Sequence, residues 1–213
     1  MTRRVVLLHG LWMPGLVMQW FGARLKAAGY EPEVFGYHSI VGGPDAAVPR
    51  LVEVLRKGGP AHIVAHSLGG LIALEALATD PELPVERVVC LGVPLCGSGA
   101  AASLTRWRLA SLWLGRSADL LQRGCQPWPA RVQVGMIAGC LPRGLGALFA
   151  RFGQAHDGTV SVDETRSPAL ADHVAIAASH SGLLFSAEAA QYATAFLETG
   201  TFAVETAPAP PSG

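Results

Sequence analysis

The stretch that most constrains the fold is residues 61–77, AHIVAHSLGGLIALEAL. A short apolar run at residues 63–65 leads into the turn sequence HSLGG, and a helical pattern of apolar residues follows at once. This order predicts a strand, a tight turn with Ser67 at its tip, and a helix that begins directly after the turn. Small residues stand two positions on either side of the serine, Ala65 and Gly69, because strand and helix backbones come close together at such a turn.

The predicted turn leaves two interpretations of the Ser67 side chain. Serine is a favoured residue at helix N-caps, so ordinary capping of the following helix would account for its position. The alternative is a nucleophile elbow, which holds a serine hydroxyl at the carboxyl edge of a parallel sheet. The amide of Leu68, at the helix N-terminus, would then face the place where an oxyanion forms. The rest of the chain has to decide between the two.

Strands and helices alternate along most of the 213 residues. Apolar runs without polar alternation are typical of strands that are covered on both faces. We predict strands at residues 5–8, 33–37, 63–65, 87–93, 132–138 and 174–178, and helices at residues 16–28, 44–57, 68–79 and 186–198. The alternation indicates one α/β domain, residues 1–200, with about six mostly parallel strands and helices on both faces. Function in such sheets lies in the loops after the strands.

Composition excludes several classes of function. The formal net charge is zero and only 15% of the residues are charged. No basic excess is available to neutralise phosphates, so we expect no nucleic-acid binding.

The sequence also bears on membrane insertion and location. No apolar run reaches membrane-spanning length, so we expect no membrane helix. His9 interrupts the apolar run near the N-terminus, so we expect no signal peptide. The four cysteines lack metal-binding spacing, and Cys90 and Cys140 lie in apolar runs that indicate buried core thiols rather than disulfide partners. This favours a reducing compartment, and we expect a cytoplasmic protein. The Pro-rich residues 203–213 are expected to be disordered.

Residues 99–130 interrupt the alternation of strands and helices and carry three of the five tryptophans. Their apolar residues recur at spacings of three and four, which indicates one helical face. The segment is either a crossover helix packed on the sheet or a small lid whose apolar face lines an acyl pocket. We take Trp107 and Trp113, together with Trp12 after the first strand, as candidate substrate-binding residues. Transient docking of the segment on a lipid surface is a further alternative.

A serine nucleophile needs a base, and the base needs an acid that orients it. Sheets with an elbow present these residues in the order serine, acid, histidine. His180 follows the last predicted strand and precedes the closing helix, so we expect it on a loop at the carboxyl edge. His173 precedes the same strand and is expected at the opposite edge, on the surface. His156 adjoins the candidate acid. His180 is therefore our candidate base.

The candidate acid is Asp157, in the sequence HDGTV that follows the fifth predicted strand. Asp-Gly also forms plain surface turns, so a purely structural role is the alternative. Asp163 and Glu164 are second choices, and Asp172 lies at the wrong edge of the sheet. We favour Asp157 because its turn aims the side chain and His180 follows it in the required order.

The sequence His9-Gly10-Leu11 follows the first predicted strand. Its position predicts that the amide of Leu11 converges with the amide of Leu68 on one oxyanion. Removing one such donor typically costs roughly 2.7–4 kcal/mol of transition-state stabilisation. We expect the His9 ring to bond loop backbone, and the His66 ring to pack beside the turn rather than to transfer protons.

Five segments, in order, carry a resemblance to the α/β-hydrolase superfamily: LLHGLW, AHSLGG, GVPLCGSGAA, DGTVSVDE and HSGLLFS. They most resemble its compact bacterial lipase-like and esterase-like members, over nearly the whole chain up to residue 198. The resemblance implies an α/β-hydrolase fold that lacks the N-terminal strands of larger relatives and has a small helical lid-like insertion at residues 99–130.

The same resemblance implies a serine hydrolase without metal or organic cofactor. Ser67 would be the nucleophile, Asp157 the acid and His180 the base, with the amides of Leu11 and Leu68 as the oxyanion hole. The expected reaction is hydrolysis of a small-molecule acyl ester through an acyl-enzyme. A thioesterase or amide hydrolase with the same triad, and a catalytically silent binding protein on this fold, are the alternatives.

Overall fold

The computed structural model describes residues 2–11, 13–38, 42–95, 127–142 and 155–203. Its strands form one sheet in the spatial order β2-β1-β3-β4-β5-β6, and each neighbouring pair is parallel. The strands are β1 (Arg4–Leu8), β2 (Glu31–Val34), β3 (Ala61–His66), β4 (Val85–Leu91), β5 (Gln133–Gly139) and β6 (Asp172–Ile176). The predicted parallel sheet of about six strands is confirmed.

Helices cover both faces of this sheet, as predicted. They are α1 (Met18–Ala27), α2 (Gly43–Gly58), α3 (Leu68–Thr79) and α4 (Ala187–Thr199). Alternate residues of a strand point to opposite faces, and β1 divides its side chains accordingly. Val5 and Leu7 join the core with α1 and α4, whereas Val6 and Leu8 join the core with α2 and α3.

The strand that carries the serine lies inside the sheet, between β1 and β4. All six residues of β3 are buried, which explains why its central residues 63–65 are apolar without alternation. Its carboxyl end is therefore flanked by the loops that follow β1 and β4. The chain thus brings its N-terminal loop and its serine turn to the same edge of the sheet.

Three predicted strands are shifted in the structure. The strand predicted at residues 87–93 is β4, which spans Val85–Leu91. We predicted β2 at residues 33–37, but it spans Glu31–Val34 and includes Pro32. Proline is tolerated here because β2 is an edge strand, where a missing N–H need not remove a ladder hydrogen bond. The last strand, predicted at residues 174–178, spans Asp172–Ile176.

The shift of β6 corrects the prediction for His173. We expected this histidine before the strand and on the surface, but it lies within β6, in register with Met136 of β5. Its side chain is half-buried, and its Nε2 lies 2.8 Å from Thr165 Oγ1. The paired backbone and this hydrogen bond hold the ring in a partly buried position.

Several predictions fall on residues outside the described part of the chain. These are the candidate substrate-binding residues Trp12, Trp107 and Trp113, nearly all of residues 99–130, and residues 204–213. Within the described ranges, no helix combines the length and the apolar character needed to cross a lipid bilayer.

Candidate active site

Ser67 sits at a strained turn between β3 and α3. Its backbone has φ 52° and ψ −124°, and no other non-glycine residue in the described part of the chain has a positive φ. Such conformations typically cost about 1–3 kcal/mol and are concentrated at functional sites. Ser67 occupies the N-cap position of α3, yet its side chain makes no capping hydrogen bond. Helix capping therefore does not explain why a serine stands at this turn.

Two glycines allow the serine turn and the loop after β1 to interlock. A Cβ on Gly69 would lie 2.5 Å from the carbonyl oxygen of His9, and a Cβ on Gly10 would lie 2.8 Å from Nδ1 of His66. We attributed the need for glycine at position 69 to contact with the strand that carries the serine. The structure gives a different reason, because the close contact is with the neighbouring strand β1.

Asp157 and His180 form a hydrogen-bonded pair at the carboxyl edge of the sheet. The distance between Nδ1 of His180 and Oδ2 of Asp157 is 2.7 Å. The Asp157 side chain is buried, with 1% of its surface exposed, whereas the His180 side chain keeps 13%. A buried carboxylate thus holds the Nδ1 edge of a ring that is itself partly exposed.

The loop around Asp157 leaves one carboxylate oxygen for His180. The amides of Thr159 and Val160 donate to Oδ1 of Asp157 over 2.8 and 2.7 Å. Gly158 has φ 99°, which L-residues rarely adopt and which closes the turn. Because Oδ1 is occupied by backbone, Oδ2 is oriented toward the histidine.

The other candidate acids are engaged elsewhere. Asp163 is exposed, and its Oδ1 lies 3.9 Å from Nε of Arg166. Glu164 accepts hydrogen bonds from the amide and the hydroxyl of Ser161. Asp172 accepts from the amide of Phe202. Among the four candidate acids, Asp157 is the one that forms a hydrogen bond with His180.

The serine turn and the base are joined through His66. Its Nε2 lies 3.0 Å from the carbonyl oxygen of His180, and the two ring centroids are 4.7 Å apart. His66 directly precedes Ser67, so this contact holds the His180 loop against the serine turn. Complete burial lowers the pKa of His66 to about 3, which keeps its ring neutral near pH 7.

The loop after β1 is held by a reciprocal contact between His9 and Tyr37. The Tyr37 hydroxyl donates to the carbonyl oxygen of His9 over 2.6 Å, and the two rings stack with centroids 4.2 Å apart. Nδ1 and Nε2 of His9 lie 2.8 and 3.2 Å from the carbonyl oxygens of Gly10 and Tyr37. The His9 ring thus contacts loop backbone, as we expected from the sequence.

The two candidate oxyanion donors lie on the segments that interlock. Leu11 follows Gly10 in the loop after β1, and Leu68 is the first residue of α3. Within the described ranges, neither amide donates a backbone hydrogen bond. Unengaged amides near a serine turn match the requirement of an oxyanion hole.

Sequence reasoning missed three residues that shape the site. Gly92 has φ 57°, and a Cβ there would lie 3.1 Å from Nδ1 of His180 and 3.2 Å from Oδ2 of Asp157. A Cβ on Gly139 would lie 2.8 Å from the Cβ of Asp157. Gly139 directly follows the predicted strand 132–138, which was an available signal, whereas Gly92 lay inside the predicted strand 87–93. Tyr37 ended the predicted strand 33–37, but no local pattern indicated its contact with His9.

No cluster of three or more histidine, cysteine, aspartate or glutamate side chains suited to a metal ion occurs among the described residues.

Comparison with solved structures identifies the architecture. The mature form of lipase BlEst2 from Bacillus licheniformis superposes with a TM-score of 0.70 at 18% identity, over 92% of this chain and 91% of that one. A metagenomic carboxyl esterase gives a TM-score of 0.62 at 20% identity, over 83% of this chain and 64% of that one. The chain has the α/β-hydrolase fold. A bromoperoxidase from Bacillus anthracis also matches this fold, with a TM-score of 0.63 at 14% identity over 93% and 92% of the two chains.

These likenesses, at 14–20% identity, establish the α/β-hydrolase fold. No protein-family profile matches the chain, and neither does any curated protein sequence. Because one fold supports many reactions, the activity has to be argued from the side chains at the carboxyl edge.

Proposed function

We propose that the chain is a serine hydrolase that cleaves carboxylic esters through an acyl-enzyme on Ser67. The observation that carries this proposal is the 2.7 Å contact between Nδ1 of His180 and Oδ2 of Asp157, beside a strained serine turn. His180 is the general base, and Asp157 orients its ring and fixes the proton on Nδ1. This tautomer leaves Nε2 unprotonated and able to accept the proton of a serine hydroxyl.

The acylation step begins when Ser67 Oγ attacks the ester carbonyl carbon and its proton passes to Nε2 of His180. The amides of Leu11 and Leu68 donate to the oxyanion of the tetrahedral intermediate. The ionised carboxylate of Asp157 stabilises the imidazolium that forms. When the intermediate collapses, Nε2 of His180 gives its proton to the leaving alcohol.

Deacylation repeats the same steps with water as the nucleophile. His180 removes a proton from water, which attacks the acyl carbonyl, and the proton is then returned to Ser67 Oγ as the acid leaves. The net reaction converts an ester and water into an acid and an alcohol.

The acyl group needs an apolar pocket above the serine turn. We propose that Trp12, Trp107 and Trp113 line this pocket, with residues 99–130 as its lid. This part of the proposal rests on the sequence. Trp107 lies among apolar residues at helical spacing, Trp113 belongs to the same segment, and Trp12 follows the first strand. Two solved structures that share the fold are named as a lipase and a carboxyl esterase, which supports an ester substrate.

The test is hydrolysis of p-nitrophenyl esters from acetate to palmitate by the wild type and by Ser67→Ala. We expect the wild type to hydrolyse at least one ester, and Ser67→Ala to lose at least 10³-fold in kcat, since removal of the serine from a Ser-His-Asp triad costs up to about 10⁶-fold. The free energy of unfolding of Ser67→Ala should stay near the wild-type value, because the Ser67 side chain makes no capping hydrogen bond.

Parallel measurements separate the alternatives. Thioester and anilide substrates, tested beside the esters, would reveal a thioesterase or an amide hydrolase with the same triad. Labelling by a fluorophosphonate, absent in Ser67→Ala, reports an activated serine whatever the substrate. A wild-type protein that neither labels nor turns over any of these substrates would contradict the proposal and leave a silent binding protein.

A further inference from the structure

His66 contributes no atom to the proposed proton transfers, yet it is one of the most completely buried polar side chains near the site. Only 1% of its surface is exposed. Its Nε2 lies 3.0 Å from the carbonyl oxygen of His180. The residue before the nucleophile is therefore bonded to the backbone of the base, across a sequence separation of 114 residues.

The identity of the acceptor fixes the protonation of the His66 ring. A carbonyl oxygen only accepts, so Nε2 must carry the proton and donate it to His180. In a neutral ring Nδ1 is then unprotonated, and this atom is buried without a hydrogen-bond partner in the described part of the chain. A buried unsatisfied nitrogen is costly, so a residue that only filled space here would be better replaced by an apolar one.

The surroundings of the ring accommodate this arrangement. Gly10 lies next to Nδ1, where any Cβ would approach to 2.8 Å. The rings of His180 and His9 are the ionisable groups that act on His66, and a charge on either would repel a proton on it. Burial has the largest effect on its pKa. The ring is therefore held neutral beside a base that becomes an imidazolium during the proposed reaction.

We propose that His66 is a positioning residue for the general base, and that its Nε2–H bond to the carbonyl of His180 sets the distance between the base and Ser67. This inference rests on the proposed function. His180 is then held at three points: its ring by Oδ2 of Asp157, its amide by the carbonyl of Asp157, and its carbonyl by His66. The third point ties the base to the serine turn itself.

Two variants separate positioning from packing. His66→Phe keeps a ring of similar size but removes the donor, whereas His66→Gln carries an amide nitrogen that can replace Nε2–H. We expect His66→Phe to lower kcat about tenfold or more with KM within twofold, since loss of one positioning hydrogen bond corresponds to about that factor. His66→Gln should recover most of this loss.

The matched control is His62→Phe. His62 lies on the same strand β3 and is also buried, but it is at the opposite end of the strand. Its Nδ1, like that of His66, has no hydrogen-bond partner among the described residues. Its replacement should leave kcat unchanged. Unfolding by urea reports the stability of all three variants. If His66→Phe and His66→Gln lose the same activity and stability, His66 only fills space and the proposal is wrong.

A spectroscopic measurement on the unaltered protein completes the test without relying on turnover. Nitrogen-15 NMR of the histidine rings should show a neutral His66 with its proton on Nε2 from pH 5 to pH 8. A proton on Nδ1 would overturn the proposal. If no ester is hydrolysed, the rate of fluorophosphonate labelling of Ser67 replaces kcat. Slower labelling in His66→Phe than in His66→Gln would support positioning even where the ester substrate is wrong.

Discussion

Asp157 and His180 are joined twice. The backbone amide of His180 donates to the carbonyl oxygen of Asp157 over 2.9 Å, and the ring Nδ1 lies 2.7 Å from Oδ2 of the same residue. The backbone bond brings the two loops together, and the side-chain bond then orients the ring. A substitution at position 157 can therefore remove the orienting charge while the backbone contact between the loops remains.

The first prediction concerns that charge. Asp157→Asn should lower kcat about 10³- to 10⁴-fold, because the amide no longer holds the reactive tautomer of His180. The free energy of unfolding should change far less, since the side-chain oxygen can still accept from the amides of Thr159 and Val160. Steady-state kinetics and urea unfolding check both. The control is Asp163→Asn, at an exposed carboxylate paired with Arg166. Equal losses in the two variants would contradict the role of Asp157.

The second prediction concerns the space that Gly92 leaves for the side chains of Asp157 and His180. In Gly92→Ala the added methyl group would meet both His180 and Asp157. We expect kcat to fall at least tenfold, because small displacements of catalytic groups typically cost about this much or more. Gly59→Ala is the matched control, since Gly59 also has a positive φ, but no atom of the described residues lies within 4 Å of its Cβ position. Gly59→Ala should lower the free energy of unfolding but leave kcat unchanged. If kcat falls equally in Gly59→Ala and Gly92→Ala, steric crowding of Asp157 and His180 does not explain the loss in Gly92→Ala.

The third prediction concerns the loop that carries Leu11. Tyr37→Phe keeps the ring that stacks on His9 but removes the hydroxyl that donates to the His9 carbonyl. We expect a loss of about 1 kcal/mol in the free energy of unfolding. A fall of about fivefold in kcat should accompany it if the loop positions an oxyanion donor. Unchanged kcat beside a measurable loss of stability would show that the hydroxyl serves the fold alone.

The fourth prediction concerns how the free energy of unfolding changes at acidic pH. Burial lowers the pKa of His66 from 6.5 to about 3, so between these values the unfolded chain binds a proton that the folded chain does not. The free energy of unfolding should therefore fall as the pH drops from 6.5 toward 3, by at most about 1.4 kcal/mol per pH unit from this residue. His62 and His173, whose pKa values are also lowered chiefly by burial, act in the same direction.

Urea unfolding of the wild type and of His66→Gln between pH 7 and pH 4.5 measures the His66 contribution. The variant cannot take up this proton, so the stability of the wild type should decline more steeply with acid. If the free energies of unfolding of the wild type and of His66→Gln changed in parallel with pH, the His66 ring would bind its proton equally in the folded and unfolded chains.

The sheet was predictable because its signals are local. Runs such as Val5–Leu8, apolar on every residue, indicate strands covered on both faces, and Gly or Asp-Pro sequences mark the ends of helices. The misplaced strand β6 shows the limit of such signals. Asp172 and His173 are polar, and only their pairing with β5 and the bond from His173 to Thr165 make them part of the strand.

The candidate pair was predictable for a different reason. Chain order and the carboxyl-edge rule already bring His180 and Asp157 to one edge of a parallel sheet. What the sequence could not give is the set of contacts between distant segments. The bonds from Tyr37 to His9 and from His66 to His180 join residues that share no local pattern, so only the assembled sheet reveals them.

Four neighbouring strands each supply one part of the site at their carboxyl ends: Ser67 after β3, Gly92 after β4, Asp157 after β5 and His180 after β6. These parts therefore emerge from the ribosome in the same order in which they stand side by side in the sheet. Under the proposed mechanism, a nascent chain exposes its serine long before its base, and it stays inert toward esters until the last strand has docked.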